Sequence, residues 1–124
     1  MNIWIILVFV AKPILNKFPS NEIKLSVGSS YALQCSISSG STPIFFEWIK
    51  DDHKKLLSSE YKIDNYDTIS SILFKHLNSD DTGNYTCIAK NVYGSDSITT
   101  KLVIQGLIIL LCLFVVIKFN FWFE

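Results

Sequence analysis

The chain has 124 residues, enough for one domain of about 100 residues with short additions at each end. Its eleven basic residues, all lysine, balance eleven acidic ones, and no basic stripe of the kind a nucleic-acid binder needs is visible. Three cysteines divide into Cys35 and Cys87, each on an alternating strand pattern, and a singleton, Cys112, inside an apolar tail.

Residues 2–11 read as an apolar run ending on the small Ala11, a length that fits the roughly 7–15-residue hydrophobic region of a signal peptide. Residues 1–11 are therefore expected to be one. The missing basic start and small-x-small cleavage site leave a truncated or mis-assigned beginning as the alternative. From Pro13 the pattern becomes strand-like: Pro13 to Leu15 and Ile23 to Val27 read as first-strand segments, broken by Phe18-Pro19-Ser20-Asn21. Tyr31, Leu33, Cys35 and Ile37 alternate onto one face of the next strand. Ser38 to Pro43 is a loop by composition, and Ile44 to Lys50 is a strand with Ile44, Phe46 and Trp48 inward. Asp51 to Lys55 is a charged turn, Tyr61 to Asp64 a short strand, and Ser70 to Phe74 a strand with Ile72 and Phe74 inward. Leu77 starts a corner that leads into a strand carrying Tyr85, Cys87 and Ala89 on its inner side. Asn91 to Gly94 makes a hairpin into a final strand, Ser97 to Ile104.

At Gly106 the polarity collapses. The residues from Leu107 to Ile117 are strictly apolar, short of the about 20 that cross a bilayer. Counting 106–123 reaches a usable length, with Lys118 snorkelling and the last aromatics at the interface, so 106–124 is read as an apolar tail that either spans a membrane once or is the non-native end of a fragment. The domain proper is placed at 13–105.

One constellation organises all of this: Cys35, Trp48, then Asp81-x-Gly83-x-Tyr85-x-Cys87. Trp48 supplies an apolar slab. Tyr85, two residues before the second cysteine, sits where a phenol turns back onto upstream backbone at a strand corner. Gly83 fits a tight turn with an expected positive φ. Asp81 is placed to satisfy nearby backbone N–H groups or a basic partner, with Lys62 as the candidate.

These residues, at this spacing, resemble the core signature of an immunoglobulin-like Greek-key β-sandwich. Val27-Gly28 with Leu33-x-Cys35, Pro43 with Trp48-x-Lys50-Asp51, Ser70-Ser71-Ile72, and Gly83-Asn84-Tyr85-Thr86-Cys87-x-Ala89-x-Asn91-x-x-Gly94 are similar to I-set domains, most of all those of arthropod Down syndrome cell adhesion molecules. The resemblance implies an all-β fold of seven or eight strands, because the stretch from Trp48 to Ile72 leaves little room for two more. It implies a disulfide between Cys35 and Cys87, which in the chain-entropy model stabilises by about 4 kcal/mol and needs an oxidising compartment. It also implies a cell-surface or secreted recognition module, adhesive and homophilic in the neural manner, with other immunoglobulin-domain proteins or a second copy of itself as partner and no cofactor. The alternative is a spacer domain in a muscle- or matrix-type array.

Catalysis finds no footing. His53 and His76 lack a third ligand at metal spacing, and the adjacent carboxylates Asp51-Asp52 and Asp80-Asp81 diverge on turns. Two features point elsewhere. Asn84-Tyr85-Thr86 is the chain's one N-glycosylation acceptor pattern, with Asn84 outward because Tyr85 is inward. And inward Trp48 and Cys87 force Phe45, Glu47, Ile49, Thr86 and Ile88 outward on neighbouring strands, so that Phe45, Ile49 and Ile88 share one exposed apolar face, the candidate interaction surface.

Overall fold

The computed structural model describes residues 10–106, so the expectations for residues 1–9 and for the tail beyond Gly106 lie outside the described residues. Nine strands form two sheets: β1 (Ile14–Leu15), β2 (Glu22–Ser26), β3 (Tyr31–Ser39), β4 (Phe45–Lys50), β5 (Lys54–Lys55), β6 (Lys62–Asn65), β7 (Ile69–Phe74), β8 (Gly83–Asn91) and β9 (Gly94–Gln105). One sheet runs β1-β3-β7-β6 and the other β2-β9-β8-β4-β5. This is the expected all-β sandwich.

The first strand is split, as the break at Phe18-Pro19 requires. Proline cannot donate to a ladder, and the chain uses residues 16–21 to cross from one sheet to the other. β1 pairs antiparallel with β3, while β2 pairs parallel with β9, from Glu22 opposite Lys101 to Ser26 opposite Gln105. If the split strand is counted once, eight remain. The charged turn after β4 holds Asp51 and Asp52 at φ 54° and 63° and then adds the two-residue β5 against Ile49 and Lys50.

Strand alternation builds the core. Leu33, Cys35, Trp48, Ile72, Phe74, Leu77, Tyr85, Cys87, Ala89 and Leu102 are all buried between the sheets. Phe74 stands edge-on to Tyr85 with ring centroids 5.6 Å apart. Among the described residues every buried side-chain nitrogen or oxygen has a hydrogen-bond partner.

Candidate interaction face

The face is held in place by a spine of cross-sheet links. Register sets Trp48 beside Cys87 in one sheet and Ser70 beside Cys35 in the other. Cys35 and Cys87 form a disulfide, with Cα atoms 6.4 Å apart. Next to it Trp48 Nε1 donates to Ser70 Oγ at 2.8 Å, and Ser70 Oγ donates in turn to Asn65 Oδ1 at 2.5 Å. The second link was not foreseen, although Ser70 has the same parity as Ile72 and Phe74 and so had to point inward.

Tyr85 makes the expected corner, donating from its hydroxyl to the Asp81 carbonyl at 2.5 Å. Burial, followed by the negative charge of Asp81, pushes its phenol well above the usual tyrosine range. Asp81 accepts the Asn78 N–H at 2.9 Å, while Asn78 Oδ1 accepts the Asp80 N–H at 2.9 Å: a reciprocal capping box around the 3-10 turn Ser79–Asp81. Lys62 takes no part in it and lies on β6 opposite Leu73. The lysine at this corner is Lys50, which donates to the Asp80 carbonyl and stands 5.7 Å from the Tyr85 ring centroid.

Gly83 also differs from expectation. Its φ is not positive; the left-handed residues here are Asp51 and Asp52. Gly83 instead leaves room for side chains, since a Cβ there would come within 2.8 Å of Lys50 Cε and 2.9 Å of Asp51 Oδ1. That Asp51 oxygen accepts the Asn84 N–H at 2.9 Å, and the Asp51 N–H donates back to the Asn84 carbonyl at 2.8 Å.

The spine fixes which way β4 and β8 face. Phe45 lies opposite Lys90, Glu47 opposite Ile88, and Ile49 opposite Thr86. All of these turn to the outer side of the five-stranded sheet. Phe45 is 66% exposed, but Ile49 and Ile88 are half-buried, so the apolar area is smaller than three exposed residues would give. Glu47, opposite Ile88 and two residues before Ile49, lies beside both. It is bracketed by Lys90 at 3.5 Å and Lys55 at 3.7 Å, and this charged bar crosses the face between Phe45 and the two isoleucines. Towards the sheet edge Phe45, Glu47, Lys55 and Leu57 line a hollow of about 350 Å³ that reaches Trp48 and Asn65. The arrangement is an aromatic knob beside a basic-acidic-basic bar. Among the described residues no three His, Cys, Asp or Glu side chains group as a metal site, and no helix is long and apolar enough to cross a membrane.

A second exposed apolar group sits at one pole. Val92, 86% exposed, and Tyr93 form the tip of the β8–β9 hairpin beside Val10. The tip is shaped by Asn91 Oδ1, which accepts the Tyr93 and Gly94 N–H groups at 2.9 and 3.1 Å. The sequence marks this hairpin but gives no sign that Val10 comes to it from so far away along the chain.

Comparison with known proteins places these features. The family profile of the immunoglobulin I-set domain matches residues 14–104. Cell adhesion molecule DSCAML1 of Gallus gallus is 34% identical over 80 residues, 64% of this chain and 4% of that protein. Cell adhesion molecule DSCAM of Homo sapiens is 33% identical over 82 residues, 66% of this chain and again 4% of the relative. These relatives are vertebrate proteins, where the sequence motifs suggested arthropod ones. Among solved structures, the I-band fragment I67–I69 from titin superposes with a TM-score of 0.69 at 28% identity, over 79% of this chain and 34% of that one.

Proposed function

This chain belongs to the immunoglobulin I-set family, and on that premise we propose that it is a cell-surface or secreted recognition module that binds another immunoglobulin-domain protein, a second copy of itself included, through the outer face of its five-stranded sheet. The observation that carries the reading is Phe45. A phenylalanine 66% exposed at the start of β4 on this sheet face, with Ile88, Ile49 and the Glu47–lysine bar beside it, has the make-up of an interface anchor with a polar rim. The Cys35–Cys87 disulfide supports an oxidising compartment. The relatives named as cell adhesion molecules support the adhesive role, and attachment through residues 106–123 would place the module on a membrane.

A spacer role has one observation in its favour, the likeness to titin I67–I69. The test is the double substitution Phe45→Glu with Ile49→Lys in a domain spanning residues 10–106, followed by sedimentation and melting. Lost association at an unchanged melting temperature supports the recognition reading. A domain monomeric before and after, binding no immunoglobulin-domain partner, favours the spacer.

A further inference from the structure

We infer that Asn84 carries an N-linked glycan. The acceptor Asn84-Tyr85-Thr86 occurs once in the chain, and its first and third side chains both point to the outer side of β8 while Tyr85 is fully buried. The state of its carboxamide separates Asn84 from Asn16, Asn65, Asn78 and Asn91; Asn21 shares that state but begins no acceptor pattern. Asn16 Nδ2 donates to Ser36 Oγ, Asn65 Oδ1 accepts from Ser70, Asn78 Oδ1 accepts from Asp80, and Asn91 donates to the Ala11 and Ser41 carbonyls. At Asn84 the structural bonds to Asp51 run through the backbone N–H and carbonyl, and the exposed side chain has no partner among the described residues. A sugar there displaces no packed group and breaks no hydrogen bond.

The chemistry is a group transfer from a lipid-pyrophosphate-linked oligosaccharide. Asn84 Nδ2 forms a bond to the anomeric carbon of the sugar, the bond from that carbon to the pyrophosphate oxygen breaks, the lipid pyrophosphate leaves, and one amide proton passes to the transferase. The native fold cannot itself be the acceptor. Thr86 Oγ1, whose hydroxyl the acceptor pattern requires, is engaged with Thr99 Oγ1 at 2.8 Å, and Tyr85 is locked inside. Transfer therefore precedes β8–β9 pairing and closure of the disulfide at Cys87. Once in place, the glycan stands by Lys101 at the β8 start, six residues or about 20 Å along the strand from the Phe45–Lys90 pair, at roughly 3.3 Å per residue. The Phe45 end of the face stays open.

The full chain, translated behind an added secretion leader with microsomal membranes, tests this. The protease-protected, imported product is expected to show one discrete mass increase that a peptide glycosidase removes. Asn84→Gln and Thr86→Ala abolish the shift and Thr86→Ser keeps it. Imported chain with no glycosidase-sensitive shift, or a shift that survives Asn84→Gln, overturns the assignment.

Discussion

Trp48 and Ser70, in opposite sheets, are joined by a 2.8 Å hydrogen bond that runs beside the Cys35–Cys87 disulfide, because each is the register partner of one of those cysteines. The sandwich therefore has a covalent and a polar cross-link at the same level of its core. The polar one continues through Asn65 to the surface hollow under Phe45.

Ser70→Ala removes the acceptor of a buried indole N–H. An unpaired buried donor costs about 1–3 kcal/mol, so chemical denaturation should show a loss in that range. Asn65→Ala, at an exposed position where water can replace the amide, should cost less. Equal losses would mean that the link is not the local, two-partner contact described.

Tyr85→Phe deletes the bond to the Asp81 carbonyl and should cost about 0.5–1.5 kcal/mol near neutral pH. The same pair of proteins carries a pH signature. Burial and the charge of Asp81 raise the folded phenol's pKa above the unfolded value of about 10, so its contribution is complete below that pH. As pH rises further, the unfolded chain releases the proton more readily than the folded one, and stability falls. The advantage of the wild-type chain over Tyr85→Phe should accordingly shrink in alkaline denaturation series above pH of about 10.

Two glycines separate backbone from side-chain constraint. Gly40 has φ +138°, and a Cβ there would lie 2.6 Å from Pro13 Cα, so Gly40→Ala meets both strain and an immovable neighbour. Its cost should be of order 1–3 kcal/mol. At Gly83 the obstructing atoms end the flexible Lys50 and Asp51 side chains, so Gly83→Ala should cost less and show its effect as loss of amide protection at Asn84.

Glu47→Gln should lower stability by less than about 1 kcal/mol, as solvent-exposed pairs do, since Lys55 and Lys90 are both largely exposed. The difference should vanish in about 1 M salt, where the Debye length is about 3 Å. Any self-association through this face should be far more sensitive to the substitution than the melting temperature is.

The constellation of Cys35, Trp48, Tyr85 and Cys87 was legible in the sequence because two-residue alternation leaves a strand residue only two directions. The same logic placed Phe45, Glu47 and Ile49 outward. It could not weigh how far Ile49 and Ile88 would be covered, since that depends on Glu47 drawing Lys55 and Lys90 across from two other strands. Gly83 was assigned a backbone role when its neighbour Asp51, far back in the chain, takes the left-handed conformation and needs the space. For Asp81 the sequence leaves a backbone N–H or Lys62 open as partner, and the carboxylate takes the N–H three residues away. Local alternation was readable; the partners supplied by distant strands were not.

The parallel pairing of β2 with β9 has a mechanical side. The chain enters at the pole where Ala11 meets Ser41 and Asn91, and leaves at the other, where the Val27 N–H bonds the Gln105 carbonyl. A pull on the two ends drags β2 and β9 in opposite directions along their common axis. The five pairs from Glu22–Lys101 to Ser26–Gln105 are then loaded together in shear, and the strands cannot be unzipped one rung at a time.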